Sequence, residues 1–260
     1  MERQQSNEAP PIRVQDLTMA FGDFVLQRDL TFDIRRGDIF ILMGGSGCGK
    51  STMLRHLVGL KQPAKGQVLY SGESLWDAEP ADQQRILRTT GVMYQSGALW
   101  SSMTLAENIQ LPLRQYTKLK AGEIQKIASL KLALVGLAGF EDYYPSEISG
   151  GMQKRVGVAR AMALDPEILF FDEPSAGLDP ISSRLMDDLI LELRDSLGTT
   201  MVVVTHELAS IFTIANNSVF LDAATRTMIA QGDPKKLRDE CENPTVRKFL
   251  TRGEDQGSFT

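Results

Sequence analysis

The chain has 260 residues, 42% of them hydrophobic, and a formal net charge of −5. That length suits one large domain or one domain with an inserted lobe, and the acidic balance lends no support to wholesale nucleic-acid binding. No apolar run approaches the ~20 residues of a membrane helix, residues 1–11 contain no apolar signal core, and two cysteines, Cys48 and Cys241, are too few for a disulfide framework. A cytosolic protein with a disordered lead-in over residues 1–11 is expected, with no nucleic acid among its partners.

Residues 12–36 alternate apolar and polar side chains and predict short antiparallel strands. The run Ile39-Phe40-Ile41-Leu42-Met43 predicts a buried strand, and Thr52 to Leu60 carries apolar residues at helical spacing. Between them stands Gly44-Gly45-Ser46-Gly47-Cys48-Gly49-Lys50-Ser51, which reads G-x-x-x-x-G-K-S. Val68-Leu69-Tyr70 and Thr90 to Tyr94 predict two more strands, the second ending at Gln95. Thr104-Leu105-Ala106-Glu107 is a capping box that opens a helix, and Pro112 is expected to limit or kink it. Apolar residues from Ile124 to Leu137 predict an amphipathic helix over residues 121–137. The stretch of about 96–165 thus reads as a helical lobe inserted in an α/β core.

A helix from Ser149 to Leu164 is followed by a buried strand Ile168-Leu169-Phe170-Phe171, a helix capped by Asp179-Pro180 and closed at Gly198, and a strand Met201-Val202-Val203-Val204. Strands alternating with helices predict a mostly parallel sheet covered on both faces. Asp233-Pro234 and Asn243-Pro244 each predict a short helix in a C-terminal extension, residues 233–260, which frays from Arg252. The apolar stripe Val246, Phe249, Leu250 packs either on its own domain or on another subunit or an accessory protein.

The chemistry is expected at the carboxyl ends of the strands. In the glycine-rich loop, Gly44, Gly45, Ser46, Gly47, Cys48 and Gly49 allow the backbone to approach phosphates closely, and the helix beginning near Lys50, Ser51 and Thr52 turns its N-terminus toward them. Lys50 is placed to reach the β- and γ-phosphates of ATP and Ser51 to hold Mg²⁺. Four apolar residues deliver Asp172-Glu173, and a lone buried carboxylate is costly. Mg²⁺ beside Asp172 resolves that cost and leaves Glu173 to polarise an attacking water; the plain alternative is a surface turn. His206 ends the next strand, as a contact to the γ-phosphate or as a structural histidine. Gln95 is a further candidate for the metal.

Ile148-Ser149-Gly150-Gly151-Met152-Gln153-Lys154-Arg155 resembles the L-S-G-G-Q-x-x-R signature of ATP-binding cassette (ABC) ATPases. The resemblance covers residues 12–232 and implies a P-loop NTPase fold with an antiparallel β subdomain and an inserted helical subdomain. It implies a homodimer in which Ser149, Gly150, Gly151 and Met152 meet the γ-phosphate held by the opposite subunit. Asp179 then belongs to the family's D-loop, Gln95 to its Q-loop, and His206 is its switch histidine. Phe21 matches the aromatic that stacks on adenine; read alone, it is equally a core strand residue.

The signature glutamine is replaced by Met152, which has no amide. Met152 and the segment Tyr94 to Thr104 together resemble the ATPases of lipid transporters that work with MCE-domain proteins. That resemblance implies ATP-driven movement of phospholipids between membranes, as in the maintenance of outer-membrane lipid asymmetry, from the cytoplasmic face of a bacterial inner membrane. It also implies an MlaE-like permease, an MCE-domain lipid-binding protein and a small STAS-domain subunit as partners. Ala98, Leu99, Trp100 and Met103 would meet the permease's coupling helix, unless Trp100 packs inside the helical lobe. An importer ATPase for a small solute such as an amino acid shares every catalytic motif. A soluble ABC protein of DNA repair or translation usually has a second cassette or a long coiled coil, and this chain has neither.

Overall fold

A computed structural model describes residues 9–252. Strands β1 (Ile12–Phe21) and β2 (Phe24–Ile34) form an antiparallel hairpin. They are longer than the sequence pattern predicts. Register shifts, with Asp16 and Asp29 in left-handed conformations, interrupt the alternation without ending the strands. Next come β3 (Ile39–Gly44), α1 (Lys50–Leu57), β4 (Lys65–Tyr70), the short β5 (Glu73–Ser74), α2 (Pro80–Arg88) and β6 (Thr90–Met93). The helical lobe contributes α3 (Leu105–Tyr116), α4 (Ala121–Leu134) and α5 (Gly150–Ala161). Then follow β7 (Ile168–Asp172), α6 (Pro180–Leu197), β8 (Thr200–Val204), α7 (Leu208–Ile214), β9 (Asn217–Asp222) and β10 (Thr227–Gln231). Two short helices, α8 (Pro234–Glu240) and α9 (Pro244–Leu250), complete the described chain.

The strands make two sheets. A four-stranded antiparallel sheet has the order β2-β1-β4-β5, and a six-stranded sheet has the order β10-β9-β3-β8-β7-β6. In the larger sheet every pairing is parallel except β10 with β9. Its central strands are apolar on both faces because each face closes a separate core. Phe40, Leu42, Phe170, Val202 and Val204 face the antiparallel sheet and α1. Ile39, Ile41, Met43, Leu169, Phe171, Met201 and Val203 face the helical side. This two-sided burial produces the unbroken apolar runs seen in the sequence.

The helix caps follow their residues. Thr104 and Glu107 exchange both capping-box bonds at the start of α3. Gly198 closes α6 in the left-handed conformation that glycine tolerates. Pro112 does not stop α3, which runs on to Tyr116. The stripe on α9 packs on its own domain: Val246 and Leu250 are buried in the helical-side core, and Phe249 meets Phe220 edge-on with ring centres 5.1 Å apart. The expectations for residues 1–8 and 253–260 lie outside the described residues.

Candidate nucleotide site

Strand β3 ends at Gly44, where φ is +145° and a Cβ would stand 2.3 Å from the carbonyl oxygen of Leu221 in β9. Only glycine permits that approach. The chain then loops back, and Gly49, at φ +106°, leads into α1. Lys50 Nζ folds over the loop and donates to the carbonyls of Gly44 (2.8 Å) and Gly45 (2.9 Å). The Cys48 side chain is buried beneath the loop against Gly44, and burial pushes its thiol up. Ser51 and Thr52 occupy the first turn of α1, Ser51 exposed.

A cavity of about 570 Å³ surrounds this loop, lined by its glycines, Ser46, Lys50, Ser51 and Thr52, and by Glu173 and His206. Glu173 comes directly after β7, at φ +51°, with its N–H donating to the Val204 carbonyl of β8 at 2.9 Å. Its Oε1 lies 2.9 Å from His206 Nδ1, while its other carboxylate oxygen is buried without a partner. Neighbouring Asp172 is held above the usual carboxylate range by burial, then by the charge of Glu173, with Arg55 opposing. His206 is largely exposed and faces the cavity, unlike a packed structural histidine. One wall thus carries a loop of backbone N–H groups and a helix start, an anion-binding arrangement, and the other carries a carboxylate and an imidazole suited to proton transfer.

Other candidates lie apart from this lining. Phe21 ends β1 and is 52% exposed, so it is no core residue; Lys61 Nζ stands 3.1 Å from its ring centre. Gln95 is exposed at the start of a tight turn after β6. Ser149 caps α5, its hydroxyl oxygen accepting from the Met152 N–H at 3.2 Å. Gly150 and Gly151 begin that helix, and Met152 packs partly against the helical-side core. Asp179 accepts from the N–H groups of Ile181 and Ser182; the Ser182 side chain first, and then these backbone bonds, lower its carboxyl. Trp100 is 58% exposed and does not pack inside the lobe. It lines a groove of about 530 Å³ with Leu87, Tyr94, Leu111 and Tyr116.

The sequence did not point to three contributors. Gln27 is fully buried in β2 and donates both to the Cys48 carbonyl in the loop and to the carbonyl of Asp222, the last residue of β9, each at 2.9 Å. It reads as one more polar member of an alternating strand, and no local pattern marks it. Phe249 of α9 reaches the cavity wall from the far end of the chain. Lys154 looks like a solvated helix residue but is 5% exposed.

A glycine-rich loop between a buried parallel strand and a helix, with an acid pair ending a nearby strand, defines a P-loop nucleotide-binding domain. The ABC transporter family matches residues 27–176. The chain is 39% identical, over 92% of its length, to the probable ribonucleotide transport ATP-binding protein mkl of Mycobacterium leprae, and spans 68% of that protein. It is 35% identical to the intermembrane phospholipid transport system ATP-binding protein MlaF of Haemophilus influenzae, covering 95% of this chain and 92% of the relative. Among solved structures, a dimeric ATP-binding cassette in a post-hydrolysis state with ADP and Pi aligns with a TM-score of 0.76 at 27% identity. That alignment covers 85% of this chain and 98% of the other. The cbiO1 protein of Clostridium perfringens, part of an ABC transporter complex, aligns with a TM-score of 0.82 at 26% identity, covering 94% and 96%. The chain belongs to the ABC transporter ATP-binding family, and it is an ATPase.

Proposed function

We propose that this ATPase powers a phospholipid transporter of the Mla type from the cytoplasmic face of a bacterial inner membrane. The nearly full-length similarity to MlaF carries this reading. Among the described residues no helix is long and apolar enough to cross a membrane, so the lipid path belongs to partner subunits: an MlaE-like permease, an MCE-domain lipid-binding protein and a STAS-domain subunit. The groove beside Trp100 is the surface we assign to the permease's coupling helix. Residues 12–232 form the cassette, with the helical subdomain at about 96–165 and an extension at 233–260.

Within the cassette, the loop Gly44 to Thr52 cradles the ATP phosphates and Phe21 stacks on adenine. The protein works as a homodimer, in which Ser149, Gly150, Gly151 and Met152 of one subunit close over the phosphate of the other, with Asp179 at the junction. Ser51, Gln95 and Asp172 offer hydroxyl, amide and carboxylate oxygens, a donor set that suits Mg²⁺. The unpartnered Glu173 oxygen and the raised Asp172 carboxyl fit a cation nearby. An ion held by these residues would supply positive charge against that of the phosphates. Glu173 takes the proton of the attacking water, and His206 orients Glu173 through Nδ1.

A second reading is ATP-driven import of a small solute, favoured by the similarity to mkl, whose name specifies ribonucleotide transport. A pull-down of Glu173→Gln protein with ATP from detergent-solubilised membranes separates the two. Binding without steady-state turnover, with an MlaE-like permease and an MCE protein recovered, is expected. Recovery of a solute permease moves the function to import, and appreciable turnover by the variant overturns the role of Glu173.

A further inference from the structure

One side chain of the signature helix α5 reaches the carbonyls of the turn that leaves β7 in its own subunit. Lys154 lies five residues after Ser149 and is 5% exposed, although an ammonium group is costly to bury. Burial lowers its pKa, and the charges of Glu207 and Glu173 oppose that shift. Its Nζ donates to the Ala176 carbonyl at 2.5 Å and reaches the Glu173 carbonyl at 3.4 Å. These two carbonyls bracket the turn that leaves β7.

That turn is strained at one position. Glu173 has a Cβ yet sits at φ +51°, in the left-handed region that side chains disfavour. A residue stays there only when its surroundings over-determine it, and such strain gathers at functional sites. Here the Glu173 N–H is fixed to Val204 at 2.9 Å, and within the turn its carbonyl receives only the Ala176 N–H, at 3.3 Å. Lys154 supplies the remaining hold. Without it the Glu173 carbonyl is left with the 3.3 Å bond from Ala176 alone, and the residue is less firmly held in the backbone conformation that sets its carboxylate 2.9 Å from His206.

We propose that Lys154 is a positioning residue for hydrolysis: by gripping the carbonyls of Glu173 and Ala176 it keeps the Glu173 carboxylate aimed at His206 and the phosphate loop. It also ties the signature helix to the water-activating residue, so the orientation of Glu173 depends on the seating of α5. The inference rests on Glu173 acting as the base.

The test uses the full chain and three variants. Lys154→Met keeps an unbranched apolar stem, one bond shorter than that of lysine, and removes the donor. Its kcat should fall about 30-fold while KM, ATP affinity and Tm hold. Lys154→Gln keeps a neutral donor on a stem one bond shorter and should recover part of that loss. In the Glu173→Gln background, Lys154→Met should leave the slow single-turnover hydrolysis no slower, because both changes disable the same group. Native-like kcat in Lys154→Met overturns the inference, as does a loss that tracks Tm and ATP affinity together. A further multiplicative loss in the double variant also overturns it, while leaving the role of Glu173 intact. Native turnover by Glu173→Gln alone instead overturns the reading of the base. If Lys154→Met does not fold, Lys154→Gln decides: lower kcat at unchanged KM supports the inference, and unchanged kcat overturns it.

Discussion

Asp187 illustrates how one residue shapes the stability of this protein. It projects from α6 into the interior, 5% exposed, and its Oδ1 has no hydrogen-bond partner. Burial pushes its carboxyl up to about 6; a hydrogen bond with Ser210 opposes this, and the charges of Glu207 and Asp188 add to it. Because the folded protein binds this proton more tightly than the unfolded chain, the stabilisation is complete below the ordinary carboxylate range. It is lost as pH rises from about 4 to about 6. At neutral pH the buried charge therefore costs roughly 1–2 kcal/mol after allowance for solvent screening. Asp187→Asn should be more stable than the native chain by that amount at pH 7.5, and its stability should vary less between pH 4 and 6. Denaturant unfolding across this range measures both.

At the scale of elements, the segment after β6 is bound to α5 by close contact. Ser96, Gly97 and Ala98 adopt left-handed conformations in succession, at φ +62°, +74° and +46°. Arg160 of α5 forks onto the carbonyls of Gly97 and Ala98, 2.8 Å from each. A Cβ on Gly157 would stand 2.9 Å from the Gly97 Cα. Gly157→Ala sets two effects against each other. Helix propensity favours alanine by ~1 kcal/mol, whereas overpacking against backbone costs ~1–3 kcal/mol. The obstacle is main chain and cannot move aside cheaply, so the variant should lose about 1 kcal/mol net and much of its ATPase activity, read by denaturant unfolding and phosphate release. Had the helix term won, Tm would rise.

The same scale explains what the sequence made legible. Strands β3, β7 and β8 could be read because both faces are buried, and α3 and α6 because their caps are short local patterns. Helix α2 carries little apolar signal, with Ile86 as its buried residue, and it was not anticipated; nor were β9 and β10. Of the site, the phosphate loop and the acid pair were legible because backbone geometry demands their residue types. Gln27 and Lys154 were not, because their partners are carbonyls distant in sequence, which leave no local trace.

Across the whole molecule, the last helix belongs to the core. Leu250 is 2% exposed among residues of the helical-side cluster, and its neighbour Phe249 lines the cavity at the phosphate loop. Leu250→Ala should destabilise the protein by ~2–4 kcal/mol through lost burial and the cavity left behind. Nucleotide affinity measured on the folded variant should weaken only slightly. Equilibrium unfolding with and without ATP separates these effects, and an unchanged midpoint would mean that α9 contributes nothing to the core.

The strand order also gives the site a timetable. Strand β3, which launches the phosphate loop, is paired on one side by β8 and on the other by β9, and the Ile39 N–H bonds to Asn216, 177 positions later. On a ribosome adding ~5–20 residues per second, the loop emerges roughly ten to thirty seconds before both of its flanking strands exist. ATP therefore cannot template the early folding of this protein. It can act only as a late ligand that stabilises a finished sheet by mass action, so a chain truncated before β9 is a client for chaperones whatever the nucleotide level in the cell.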